Sequence, residues 1–193
     1  VPKLRVADCV YNKEEILKLV EAAAAKQVRV LSFPELSVTG YTCADLFFQA
    51  PLLHAAEQAI QEIAEATEAL NIFLLIGAPI AVDNQMFNCA VALYKGKLLG
   101  IVPKTHIPNY SEFYEERWFA SADDLLTEEI TYAGQNVPIG ADLIFAAADF
   151  PALKIGVEIC EDLWTAVPPS SHMALSGAKV IFNLSASPES VGK

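Results

Sequence analysis

The sequence predicts an α/β domain built on mixed β-sheet, and three observations carry that expectation. Hydrophobic residues make up 53% of the 193-residue chain, a fraction that suits sheets covered on both faces. Apolar strand-like runs alternate with helical stretches early in the chain, and a strand–helix–strand unit closes it. Between them, two apolar runs flank Lys95-Gly96, the pattern of a hairpin.

The elements follow in order. Asn12 can cap a helix, with Glu15 three positions on in capping-box fashion. Ile16, Val20 and Ala23 then share one face, with Glu14, Lys18 and Glu21 elsewhere. "VRVLSF" (28–33) reads as a strand stopped by Pro34, which cannot donate to a ladder. In "PLLHAAEQAIQEIAEATEAL" (51–70), Leu53, Ala56, Ile60, Ile63, Thr67 and Leu70 recur at steps of three and four, and Pro51 suits a first turn. "IFLLIGAPI" reads as a buried strand, followed by the hairpin strands "MFNCAVALY" and "KLLGIVP". Residues 104–127 are polar, aromatic-rich and without period, as functional loops often are. Further strands are expected at 129–133, 142–147, 153–159 and 179–185, with a short helix near 169–177. Pattern alone leaves the strand order open.

Composition narrows the function. A net charge of −11 disfavours nucleic acid and anionic membrane surfaces as partners. The longest apolar stretch, "IFLLIGAPIAV" (72–82), is too short to span a bilayer and contains Gly and Pro. No charged start leads into an apolar signal segment. Cys9, Cys43, Cys89 and Cys160 form no C-x-x-C pair, so they read as reduced thiols of the cytoplasm rather than metal ligands. No G-x-x-x-x-G-K-[ST] or G-x-G-x-x-G loop occurs.

Three reactive side chains stand where apolar strands end: Glu35 after "VLSFP", Lys104 after "LLGIVP" and Cys160 after "LKIGVEI". Each has a plain explanation by itself, as a solvated charge or a buried thiol. Together they form a base, a cation and a nucleophile, a complete set for acyl transfer. Cys160 would attack an amide carbonyl, and Glu35 would carry its proton to the leaving ammonia. Lys104 and a backbone N–H just after Cys160 would stabilise the oxyanion. The acids Glu158, Glu161 and Asp162 around Cys160 oppose a thiolate, and Lys104 would offset them. A Cys–His pair with His106 or His172 competes with this reading, though neither histidine has an orienting partner in sequence. Strand alternation would turn Glu158 and Cys160 to one face, but no hard-metal ligand set accompanies them.

The Glu–Lys–Cys order resembles the nitrilase superfamily. Four blocks, "FPELSVTGYTCADLF" (33–47), "PKTHIPNYSEFYEERWF" (103–119), "GVEICEDLW" (156–164) and "NLSASPESVGK" (183–193), resemble the glutaminase domains of glutamine-dependent NAD synthetases within it. The resemblance implies a four-layer α-β-β-α sandwich. It also implies that the chain is incomplete at both ends, with "PKLRVADC" a loop rather than the strand its alternation suggests. It implies Glu35 as general base, Lys104 as oxyanion lysine, Cys160 as nucleophile and Glu112 as a further glutamate positioning the lysine and substrate. Tyr110, Ser187, Lys193 and Glu161 would hold L-glutamine, with the Glu161 carboxylate on its α-ammonium and the Glu161 N–H in the oxyanion hole. No metal and no cofactor is expected on this chain. ATP and Mg belong to the synthetase (ATP-pyrophosphatase) domain, which the resemblance implies as partner and which these residues lack. A homo-oligomer is also implied. A free-standing nitrilase-type amidase or carbamoylase, or a silent assembly module, remains the alternative.

Overall fold

In the computed structural model, which describes residues 1–188, a four-stranded sheet carries two helices on its outer face. Its strands are β1 (Val30–Ser32), β2 (Phe73–Val82), β3 (Gln85–Tyr94) and β4 (Lys97–Pro103), in that order across the sheet. β1 runs parallel to β2, and β2, β3 and β4 are antiparallel neighbours. The turns 83–84 and 95–96 place both central residues at positive φ: Asp83 at 48° and Asn84 at 66°, Lys95 at 49° and Gly96 at 76°. That is the turn geometry whose twist matches paired strands.

Alternation along these strands sorts the side chains into two cores. Leu74, Ile76, Phe87, Cys89, Val91 and Leu93 pack against α1 (Cys9–Ala25) and α2 (Ala50–Ala66). Leu75, Ala90, Ala92 and Val102 face the other way, onto Ile155, Val157, Ile159 and Leu184 of a second sheet. That sheet consists of β7 (Ile144–Ala146), β8 (Lys154–Ile159) and β9 (Val180–Leu184). The short helix α3 (Pro169–Leu175) covers its outer face. The layers therefore run helix, sheet, sheet, helix, as the resemblance implied. Two glycines permit the close approaches. A Cβ on Gly100 would lie 2.9 Å from the Leu143 side chain, and one on Gly156 would lie 2.6 Å from Met173 Sδ.

Three local expectations need correction. The N-cap of α1 is Asp8, whose carboxylate accepts from Tyr11 N–H, not Asn12. Asn12 lies inside the helix and fully buried, where its amide donates to the Arg5 and Val38 carbonyls and accepts from Arg5 N–H. The long helix ends at Ala66, because Thr67 turns its hydroxyl back to the Ile63 carbonyl as C-cap. The strand at 129–133 is one arm of a hairpin, β5 (Glu129–Tyr132) with β6 (Gln135–Pro138), closed by Ala133-Gly134. Polar residues in β6 hid the second arm. Residues 1–8 form no strand, as expected for "PKLRVADC".

Candidate active site

Glu35, Lys104 and Cys160 converge in the seam between the sheets. Glu35 follows β1 on a backbone segment that crosses directly over β2. Gly77 makes the crossing possible, since a Cβ there would lie 2.3 Å from Leu36 N and 2.5 Å from Glu35 Cα. Lys104 shares the inward-facing register of Gly100 and Val102, and its N–H extends the β3–β4 ladder to the Asn88 carbonyl at 2.8 Å.

The charged groups are almost wholly enclosed: Lys104 is 0% exposed, Glu35 2% and Glu115 2%. Lys104 Nζ donates to Glu35 Oε2 at 3.2 Å and to both Glu115 oxygens at 2.9 Å. Both Glu35 oxygens accept hydrogen bonds. Oε1 accepts from Ala186 N–H at 2.9 Å, and Oε2 also accepts from Asn88 Nδ2 at 2.8 Å. Tyr41 completes the cluster by donating to Glu115 Oε1 at 2.6 Å. Burial opposes the Lys104 charge, but Glu35 and Glu115 outweigh it and its pKa ends above the ordinary lysine value. Burial raises Glu115, against the pull of Lys104 and Tyr41.

Cys160 leaves β8 at φ 46°, a left-handed conformation unusual for a residue with a Cβ. The kink ends strand alternation. Glu158 faces α3, where its Oε2 accepts from Ser170 N–H, while Cys160 belongs with Ile155, Val157 and Ile159 in the inter-sheet core. The expectation that Glu158 and Cys160 share a face is therefore overturned by one backbone angle. Asp162, in the 3₁₀ turn Cys160–Trp164, ties this corner to the lysine. Its Oδ1 accepts from Thr105 N–H at 3.1 Å and His106 N–H at 2.7 Å, and its Oδ2 accepts from Ile159 N–H at 3.0 Å. Asp162 is thus a structural clasp between the segments that bear Lys104 and Cys160.

Burial, then the Glu35 charge, raise the Cys160 thiol above its ordinary value, and hydrogen bonds from Ser185 and Ser187 and the Lys104 charge act against them. Ser185 Oγ donates to Sγ at 3.3 Å, and Ser187 Oγ lies 3.5 Å away. Among the described residues, the side chains hydrogen-bonded to the sulfur are the Ser185 and Ser187 hydroxyls, not His106 or His172. Cys9, Cys43 and Cys89 are buried free thiols, Cys9 pushed up to about 11 by burial.

The remaining candidates divide. Tyr110 donates to both Glu161 oxygens, at 3.0 and 2.9 Å, in a cleft of about 940 Å³ that runs beside the triad. Neither Glu35, Lys104 nor Cys160 lines that cleft. Glu112 is exposed, and its charge is felt at Tyr110. The carboxylate on Lys104 is that of Glu115, so the expected placement of Glu112 is corrected. The aperiodic segment gave no way to choose among Glu112, Glu115 and Glu116. Lys193 lies outside the described residues. Tyr41 and Asp162 lay in the resembling blocks without these roles, and Asn88 lay in none, although its inward register with Ala90 and Ala92 was available in the alternation. Among the described residues, no group of three or more His, Cys, Asp or Glu could hold a metal ion. No helix among them is long and apolar enough to cross a membrane.

An enclosed carboxylate–ammonium pair beside a cysteine, in a helix–sheet–sheet–helix sandwich, defines a class of amide-cleaving enzyme. The chain belongs to the carbon-nitrogen hydrolase family, whose profile matches residues 4–193. Within that family its sequence is 40% identical over 188 residues to a glutamine-dependent NAD(+) synthetase from Mycobacterium leprae, covering 97% of this chain and 28% of the relative. The enzyme of that name from Rattus norvegicus is 32% identical over 203 residues, covering 96% of this chain and 27% of the relative. Among solved structures, the glutamine-dependent NAD(+) synthetase from Cytophaga hutchinsonii matches with a TM-score of 0.85 and 29% identity, covering 100% of this chain and 30% of that one. An amidase from Nesterenkonia shares the fold, with a TM-score of 0.73 at 16% identity over 98% of this chain and 64% of that one. The chain spans less than a third of the length of the NAD synthetases it matches.

Proposed function

We propose that this chain is the glutaminase portion of a glutamine-dependent NAD synthetase, hydrolysing L-glutamine to glutamate and ammonia through a Cys160 thioester. The observation that carries the reading is the buried Glu35–Lys104 pair beside a strained cysteine. Cys160 attacks the side-chain amide carbonyl while Glu35 takes the thiol proton. The same proton goes to the departing ammonia, and Glu35 then activates the water that cleaves the thioester.

The geometry adds a coupling between these steps. Lys104 has three N–H hydrogens, and Glu35 Oε2 and the two Glu115 oxygens account for three acceptors. Once Glu35 is protonated its hold on the ammonium weakens. One N–H then turns to the oxyanion as the oxyanion forms, and Glu115 keeps the lysine charged throughout. The Glu161 carboxylate, now capped by Tyr110, is the acceptor for the substrate ammonium, with Tyr110 and Ser187 alongside.

In this reading the chemistry on this chain uses its own side chains. Amidation of deamido-NAD, with its ATP and Mg, belongs to a synthetase domain working with this one, in a homo-oligomer. In the full-length protein, Cys160→Ala should abolish glutamine-supported NAD formation and spare ammonia-supported formation. Preference for another small amide over glutamine would instead favour a free-standing amidase.

A further inference from the structure

We propose that Ser185 is a thiolate-stabilising residue of this site, its hydroxyl donating to Cys160 Sγ. The proposal deepens the reading of Cys160 as nucleophile and rests on it.

The end of β9 and the segment after it touch both Cys160 and Glu35. Asn183 Nδ2 donates to the Cys160 carbonyl at 3.2 Å, and Ser185 Oγ donates to Cys160 Sγ at 3.3 Å. Ala186 N–H reaches Glu35 Oε1 at 2.9 Å, and Ser187 Oγ lies 3.5 Å from Sγ. Leu184 turns into the inter-sheet core and ends β9, and Ser185, the next residue, meets the sulfur that the kink at Cys160 has brought into that core. Ser185 is itself fixed. Its Oγ accepts from Ser187 N–H at 3.3 Å and lies 3.0 Å from Ser187 Oγ. The Ser187 N–H takes one lone pair of that oxygen, and the hydroxyl hydrogen is directed at the sulfur.

The consequence is directional. A thiolate only accepts hydrogen bonds. A hydroxyl donating into Sγ leaves the S–H proton to depart on another side, where it passes to the Glu35 carboxylate with no other change in bonding. Ser187 is also assigned to the substrate. When its hydroxyl turns to the bound ligand, Ser185 is the hydroxyl that stays on the sulfur. The thiol is raised first by burial and then by the Glu35 charge, and the serine hydrogen bonds oppose that rise ahead of Lys104.

The test is the pH dependence of Cys160 alkylation by iodoacetamide, followed on the Cys160 peptide by mass spectrometry in the full-length protein. Ser185→Thr and Ser185→Val are compared because they share a shape and differ in the hydroxyl. The Val variant should titrate about one pH unit higher than the Thr variant and react about tenfold more slowly near neutral pH. The Thr variant should stay close to the wild type. Coincident Thr and Val profiles would overturn the proposal even if glutamine were hydrolysed normally. A displaced Val profile would support it even if glutamine proved not to be the substrate.

Discussion

Lys104 Nζ sits 2.9 Å from both oxygens of Glu115, closer than to Glu35 Oε2 at 3.2 Å. The residue that holds the lysine is therefore distinct from the one assigned to the proton. Glu115→Gln keeps the shape and removes one of two compensating charges, so stability should fall by about 3 kcal/mol in urea unfolding. The lysine should lose its position, and kcat should fall about 10²-fold with KM little changed. Glu112→Gln should leave stability within about 0.5 kcal/mol. A larger effect at Glu112 than at Glu115 would reverse the assignment.

Gly77→Ala tests the crossing that delivers the base. The added methyl would collide with backbone at Leu36 and Glu35, which has no flexible end to swing away. We expect a loss of about 2 kcal/mol or more by thermal unfolding, from overpacking. Glutamine hydrolysis should fall even at temperatures where the variant remains folded. A fully active, equally stable variant would show that the Pro34–Leu36 segment can shift without consequence.

Glu35→Gln separates charge from proton transfer. Burial and the Glu35 charge both raise the Cys160 thiol. Removing the charge should lower the thiol pKa, so the thiolate fraction at pH 8 should rise. Iodoacetamide, which needs only the thiolate, should then react faster with Cys160 than in the wild type. Glutamine hydrolysis, which needs the base, should fall by about 10³-fold. Slower alkylation in this variant would contradict the assigned sign.

Asp162→Ala removes the acceptor for Ile159, Thr105 and His106 N–H groups. Leaving such donors unpaired should destabilise by about 3 kcal/mol. Hydrogen exchange at Thr105 and His106 should accelerate before exchange in β2 and β3 does. Unchanged protection there would mean that the clasp is dispensable.

Most of the scaffold was legible because its periods are clean. The alternation in β2 and β3 and the three-and-four spacing in α2 determine the buried faces, though not the strand order. Glu35, Lys104 and Cys160 were legible because each follows such a run. What escaped lies where no period operates. Glu115 sits in an aperiodic segment and is selected by reach, since its carboxylate meets Tyr41 and Lys104. Asn12 has the character of a cap, yet tertiary contacts to Arg5 and Val38 hold it within a helix. Cys160 was identified but its facing was not, because a single positive φ is invisible to strand alternation. Ser185 and Ser187 lie past the end of β9, where no pairing register distinguishes them.

Lys104 is sealed on every side by protein. Its amine is therefore out of reach of acylating reagents bulkier than the amide substrate for as long as the two sheets stay closed. Covalent tagging of that one ammonium would not map the surface. It would count the moments at which the sandwich parts, so the residue assigned to the oxyanion doubles as a clock for the opening of the domain.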